Sequence, residues 1–148
     1  MSDNNTTLPL TFRAELLQQL MPALRAGECC SLIGVSGVGK SNLVQFLRRT
    51  DIQSHYWDED RVWVVNVDAH GLATDEIPTR LIVLEAIIHR LILEAERRQL
   101  STALLHDFSE MHAKILAQPS PLLALRYLER ILSRLCDLKH INLVFVFD

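Results

Sequence analysis

The stretch from Gly34 to Ser41, "GVSGVGKS", sets three glycines, a lysine and a hydroxyl where an apolar run gives way to a helix-like pattern. Binding a chain of phosphates calls for these residue types at this spacing. The main chain must curl tightly so that successive N–H groups face anionic oxygens, and a side chain at Gly34, Gly37 or Gly39 would obstruct the curl or the ligand. A helix that begins near Lys40 adds the positive end of its dipole. Lys40 can then extend beside the β- and γ-phosphates as a point charge. The Ser41 hydroxyl is small enough to enter the coordination shell of Mg²⁺.

Gly34, Gly39, Lys40 and Ser41 together satisfy G-x-x-x-x-G-K-[ST], the Walker A pattern. It predicts a contact surface for ATP and Mg²⁺ running through Gly34, Val35, Ser36, Gly37, Val38, Gly39, Lys40, Ser41 and Asn42. The plainer alternative is a glycine-rich turn that only joins a strand to a helix. The flanking apolar run and helical pattern, both of which the motif requires, favour phosphate binding.

Such a site also needs a carboxylate at the end of another strand, placed to hold the metal through water. Two acids qualify. Asp148 ends "LVFVFD", several apolar residues followed by an aspartate, which is the Walker B form. Asp68 ends "VWVVNVD" and opens Asp68-Ala69-His70-Gly71, the Asp-x-x-Gly form found in GTPases. No Asn-Lys-x-Asp tetrapeptide, the guanine-specificity motif, follows Gly71. Asp148 is therefore the favoured metal ligand, catalytic together with Lys40. Asp68 is then a loop cap or a polar group near the site.

The elements that must position these residues follow from hydrophobic periodicity. Phe12 to Leu24 has apolar residues at helical spacing and ends at Gly27, so residues 1–28 read as an N-terminal extension with a helix. "CCSLI", Cys29 to Ile33, is a candidate buried strand, and Leu43, Phe46 and Leu47 share one side of the helix that follows the glycines. "TDIQSHYWDED" reads as a polar connection into a second strand, "RVWVVNVD". A helical insertion over about residues 79–139 follows. Its first helix turns Leu81, Leu84, Ile88, Leu91, Ile92 and Ala95 inward, a second runs from Ser101 to about Ala117, and Ser120 with Pro121 starts a third. "INLVFVFD" is nearly unbroken in its apolar character and reads as a fully buried strand. Strands alternating with helices predict an α/β fold with a parallel sheet covered on its faces. The chain stops directly after that last strand, so the expectation is the N-terminal part of a longer protein.

Bulk properties narrow the class. The 148 residues are 49% hydrophobic with a formal net charge of −3, enough for one domain and without a basic field that would point to nucleic acid. "MSDNNTTLPL" lacks a secretory signal, and "LIVLEAIIHRLIL" is interrupted by Glu85, His89 and Arg90, so a cytoplasmic protein without a membrane span is expected. Cys29, Cys30 and Cys136 have no metal-ligand spacing and read as buried free thiols. Of the scattered histidines, His106 shares a helical face with Glu110 as a solvated surface contact. The arginines of the helical region, Arg90, Arg97, Arg98, Arg126, Arg130 and Arg134, read as a solvated face among glutamates.

A phosphate loop, a second strand, a long helical insertion and a Walker B-like strand, in that order, resemble the AAA+ and STAND group of ATPases, and most closely bacterial ATPases of the origin-recognition type. "FRAELLQQLMPALRAGECCSLIGVSGVGKSNLVQFL" resembles their segment with a degenerate Arg-x-Glu-Leu box and a helix before the loop. "WVVNVDAHGLATDEIPTRLIVLEAII" resembles their second strand and following helix. The resemblance implies a three-layer P-loop NTPase sandwich, incomplete at the C-terminus, with a partial nucleotide-binding domain over 29–148. It implies ATP hydrolysis that drives a conformational change in a protein or nucleic-acid machine, with a protein partner or self-association. It also implies that the Walker A and Walker B strands are separated by a strand later in sequence, which would leave sheet edges open here. Phe12 and Arg13 are left as either adenine contacts or the plain start of an amphipathic helix. A nucleotide-gated switch without turnover, a GTPase-like protein using Asp68 and a small-molecule kinase are the other readings.

Overall fold

The computed structural model describes residues 8–31, 33, 39–57, 62–68, 79–138 and 140–147. They belong to two compact units, Met1–Asp60 and Arg61–Asp148.

The first unit contains three helices among its described residues. In α1 (Ala14–Arg25) the apolar stripe buries Leu17 and Met21. The helix ends at Gly27, whose φ of 73° lets the Glu28 amide turn back to the Ala23 carbonyl at 2.9 Å and the Gly27 amide reach that of Leu24 at 3.1 Å. This left-handed closure satisfies carbonyls that the helix itself leaves open. The next helix, α2 (Lys40–Leu47), buries Leu43, Val44, Phe46 and Leu47, the face read from the sequence. After a short turn comes α3 (Thr50–Trp57). Gln53 of α3 is buried and donates from Nε2 to the Leu47 carbonyl at 3.0 Å, which pairs a buried amide and ties α3 to the end of α2. The Phe12 ring lies 5.4 Å from that of Phe46, and the Arg49 guanidinium donates to the Leu8 carbonyl.

In the second unit β1 (Val62–Val67) and β2 (Asn142–Phe147) pair in parallel, from Val62 opposite Asn142 to Val67 opposite Phe147. Among the described residues, the α-helices between them are α4 (Thr79–Arg97), α5 (Thr102–Ala117) and α6 (Pro121–Ser133). Ser120 caps α6, its Oγ accepting from the Leu123 amide at 3.3 Å with Pro121 at the first helical position, as its sequence predicts. The core gathers Trp63 and Val65 from β1, Ile88 and Leu91 from α4, Phe108, Met111 and Ile115 from α5, and Ala124 and Ile131 from α6. A π-turn, Arg134–Leu138, follows α6, and His140 at φ 54° redirects the chain into β2.

The three-layer P-loop sandwich is not what this chain forms. The described residues are mostly helical, with a sheet of two strands. Cys29, Cys30 and Ser31 belong to no strand, and Ile33 is 92% exposed. A strand depends on hydrogen bonds from a neighbouring chain segment, and an apolar run does not supply them. For the same reason Cys29 and Cys30 are exposed rather than buried, and Cys136 is half-buried. The segment at Thr50–Trp57, read as a connection, is a helix because Ile52, Gln53 and Trp57 fall on one buried side of it. β2 is half-buried rather than fully buried, with Phe147 at 55% exposure, while β1 is the covered strand. The expected separation of the Walker A and Walker B strands by another strand falls on a segment of which Leu32 and residues 34–38 lie outside the described residues. No helix among the described residues is long and apolar enough to cross a membrane.

Candidate functional site

The phosphate motif reaches the described structure at its downstream end. Gly39 precedes α2 with φ 86° and ψ 28°, a left-handed geometry that L side chains rarely adopt, and its carbonyl accepts the Leu43 amide at 3.1 Å. Lys40, Ser41 and Asn42 form the first turn, with Lys40 half-buried and the other two exposed. Burial of Leu43, Val44, Phe46 and Leu47 holds that turn in place, since a helix this short draws its stability from packing. The predicted residues Gly34, Val35, Ser36, Gly37 and Val38 lie outside the described residues, as does Asp148.

A residue given only an ambiguous role by its sequence stands beside Gly39. The Arg13 Nη2 is 3.3 Å from the position a Cβ on Gly39 would occupy. Arg13 itself sits at φ 50° immediately before α1, and its guanidinium lies 5.7 Å from the centre of the Phe12 ring. Phe12 packs against Phe46, so the aromatic residue of the pair braces α2 while the guanidinium lies beside Gly39. The sequence signal was weak because nothing in the spacing of Arg13 and Gly39 indicates their approach.

In the second unit Asp68 follows β1 and is exposed. Val67, just before it, pairs with Phe147, the residue before Asp148, so the register aligns the two strand positions that precede the candidate acids. The helical arginines do not form one solvated face. Arg98 is only 15% exposed, donates to the Val62 carbonyl at 3.1 Å and lies 5.4 Å from the centre of the Trp63 ring. Arg134 contacts Asp107 Oδ2 at 2.6 Å. Arg90, Arg126 and Arg130 are exposed. His106 and Glu110 approach to 3.7 Å on the exposed side of α5.

One cluster escaped the sequence reading. Glu85 and His89 of α4 meet His112 of α5, with His112 Nε2 at 2.5 Å from Glu85 Oε1 and the two imidazole centroids 5.3 Å apart. The four-residue spacing of Glu85 and His89 was visible as a shared helical face. Their third member depends on how α5 folds back along α4.

Comparison with family models, with curated proteins and with solved structures finds no match to this chain.

Proposed function

We propose that this chain binds Mg-ATP through the segment Gly34–Ser41 and belongs to an ATPase resembling the AAA+ and STAND group. The observation that carries the reading is the junction of motif and helix. Gly39 is left-handed and α2 begins at the next residue, so Lys40 and Ser41 occupy the first turn, where the helix dipole favours an anion. Arg13 beside Gly39 adds a second cation to the same end.

In the proposed complex the loop amides surround the phosphate oxygens, Lys40 offsets charge on the β- and γ-phosphates, and the Ser41 hydroxyl is a ligand of Mg²⁺. Asp148 is the favoured acid for holding the metal through water. Turnover is an in-line attack of water on the γ-phosphorus, with the bond to the β–γ bridging oxygen breaking and ADP leaving with the electron pair. The same proposal assigns the protein to the cytoplasm and couples turnover to a change of shape in a larger machine.

Calorimetric titration of the chain with ATP, with and without Mg²⁺, tests this. Wild type should bind, K40A should abolish measurable binding, and S41A should remove the part of the affinity that depends on Mg²⁺. Unchanged affinity in K40A refutes the proposal. Displacement of ATP by GTP at equal concentration would transfer the metal role to Asp68 and the GTPase-like reading.

A further inference from the structure

The strongest unassigned chemistry in the molecule lies between α4 and α5. Glu85 and His89 are one helical turn apart, so both project from the same face of α4. His112 comes to that face from α5, and one donor atom from each of the three side chains lies within 4.8 Å of the other two. The cluster is graded in exposure: the side chain of His112 is 17% exposed and that of Glu85 30%, while His89 is open to solvent.

We propose that Glu85, His89 and His112 form a binding site for a divalent first-row transition ion, zinc in the first instance, and that the ion clamps α4 to α5. Two imidazoles and one carboxylate are a donor set suited to zinc and its neighbours, whereas magnesium and calcium prefer oxygen ligands alone. Metal–ligand distances of about 2.0–2.2 Å in a tetrahedron place neighbouring donor atoms roughly 3.4 Å apart. The observed donors reach that spacing by side-chain rotation: Glu85 and His112, now 2.5 Å apart, open slightly, and the exposed His89 ring swings in. Both helices are already packed around Ile88, Leu91, Phe108 and Met111, which holds the donor-bearing faces together. Three protein ligands leave a fourth position on the solvent side, which water fills. The clamp involves no residue of the phosphate loop, so it stands whether or not the chain binds ATP.

The plainer reading is a hydrogen bond between Glu85 and His112 with His89 resting against it, and it predicts no metal affinity beyond that of any surface histidine. The experiment uses the full chain freed of metal by chelator and titrated with Zn²⁺, and separately with Co²⁺ as a spectroscopic probe. Cys29 and Cys30 are adjacent exposed thiols that could capture zinc themselves, so the titrations are run in the C29S/C30S background. One ion per chain should bind, H89Q and H112Q should each weaken it at least tenfold, and H106Q should leave it unchanged. Cobalt should give visible ligand-field bands of a nitrogen and oxygen site. Zinc should also raise the thermal midpoint of the parent and not that of H89Q, because an ion bound only by the folded state stabilises it by mass action. His89 is exposed, so H89Q folds irrespective of metal. Affinity that survives H89Q and H112Q together, or that disappears with C29S/C30S alone, overturns the site.

Discussion

The guanidinium of Arg13 and the α-carbon of Gly39 meet so closely that a methyl group on Gly39 would lie 3.3 Å from Arg13 Nη2. Both residues are left-handed, Arg13 at φ 50° and Gly39 at φ 86°. The glycine is required more by its backbone angle than by the space around it, because the neighbouring atom is the far end of a flexible side chain.

Gly39→Ala should therefore destabilise the chain by about 1–2 kcal/mol, the cost of forcing an L residue into the left-handed region. Adding R13A should recover little of that loss. Urea melts of the single and double variants measure both numbers. Full recovery in the double variant would mean that crowding, not the backbone angle, is what requires glycine.

Arg13→Ala alone tests the second cation. If Arg13 supports a polyphosphate, its loss should weaken ATP binding about tenfold, or ~1.4 kcal/mol, with a smaller salt dependence than in wild type. The circular dichroism spectrum should stay unchanged, since Phe12 and Phe46 keep their contact. Equal affinity in R13A would restrict Arg13 to a structural part.

Glu94 sets a pH dependence for the second unit. Its side chain is 5% exposed, and Arg97 Nη2 and Arg98 Nε approach its Oε1 at 2.5 and 2.8 Å. Burial pushes its carboxyl up, but the hydrogen bonds from Arg97 and Arg98 and their charges outweigh burial and hold it below the usual glutamate range. A carboxyl depressed on folding contributes stability that is present above the unfolded value, about 4.3, and is lost as pH falls through the folded one. E94Q should cost roughly 1.5–3 kcal/mol at pH 7. The gap between E94Q and wild type should narrow as the pH drops below about 4. Denaturant melts across that range measure it, and a gap that widens toward acid would reverse the assignment.

The three thiols should separate by reactivity. Cys29 and Cys30 are exposed, whereas Cys136 is half-buried and its thiol is pushed up by burial and then by the neighbouring Asp137 charge. A chromogenic disulfide reagent at pH 8 should label two thiols of the native chain quickly and the third only as the protein unfolds. Three protected thiols would restore the buried strand that the sequence predicts over Cys29–Ile33.

What was legible in advance is what a single segment can decide for itself. A helix makes its own hydrogen bonds and shows its buried side at a period of 3.6, so α1, α2, α4, α5 and α6 could be read from the spacing of their leucines and isoleucines. The Ser120–Pro121 start of α6 and the junction of Gly39 with Lys40 are equally local, one a cap and the other a backbone angle. Even α3 was readable in principle, since Ile52 and Trp57 mark its inner side, but its polar neighbours masked the pattern.

The rest depended on distant partners. Cys29–Ile33 has the composition of a strand yet forms none among the described residues, while Val62–Val67 becomes one because Asn142–Phe147 lies alongside it. The amino-acid sequence alone pointed to α1, α2, α4, α5 and α6 and to the residues proposed to hold a phosphate. Only the tertiary structure decided which apolar runs became strands, that Arg13 borders Gly39, and that His112 joins Glu85 and His89. Sheet bonds and ligand clusters are made between segments far apart in the chain, and no local pattern records which segments will meet.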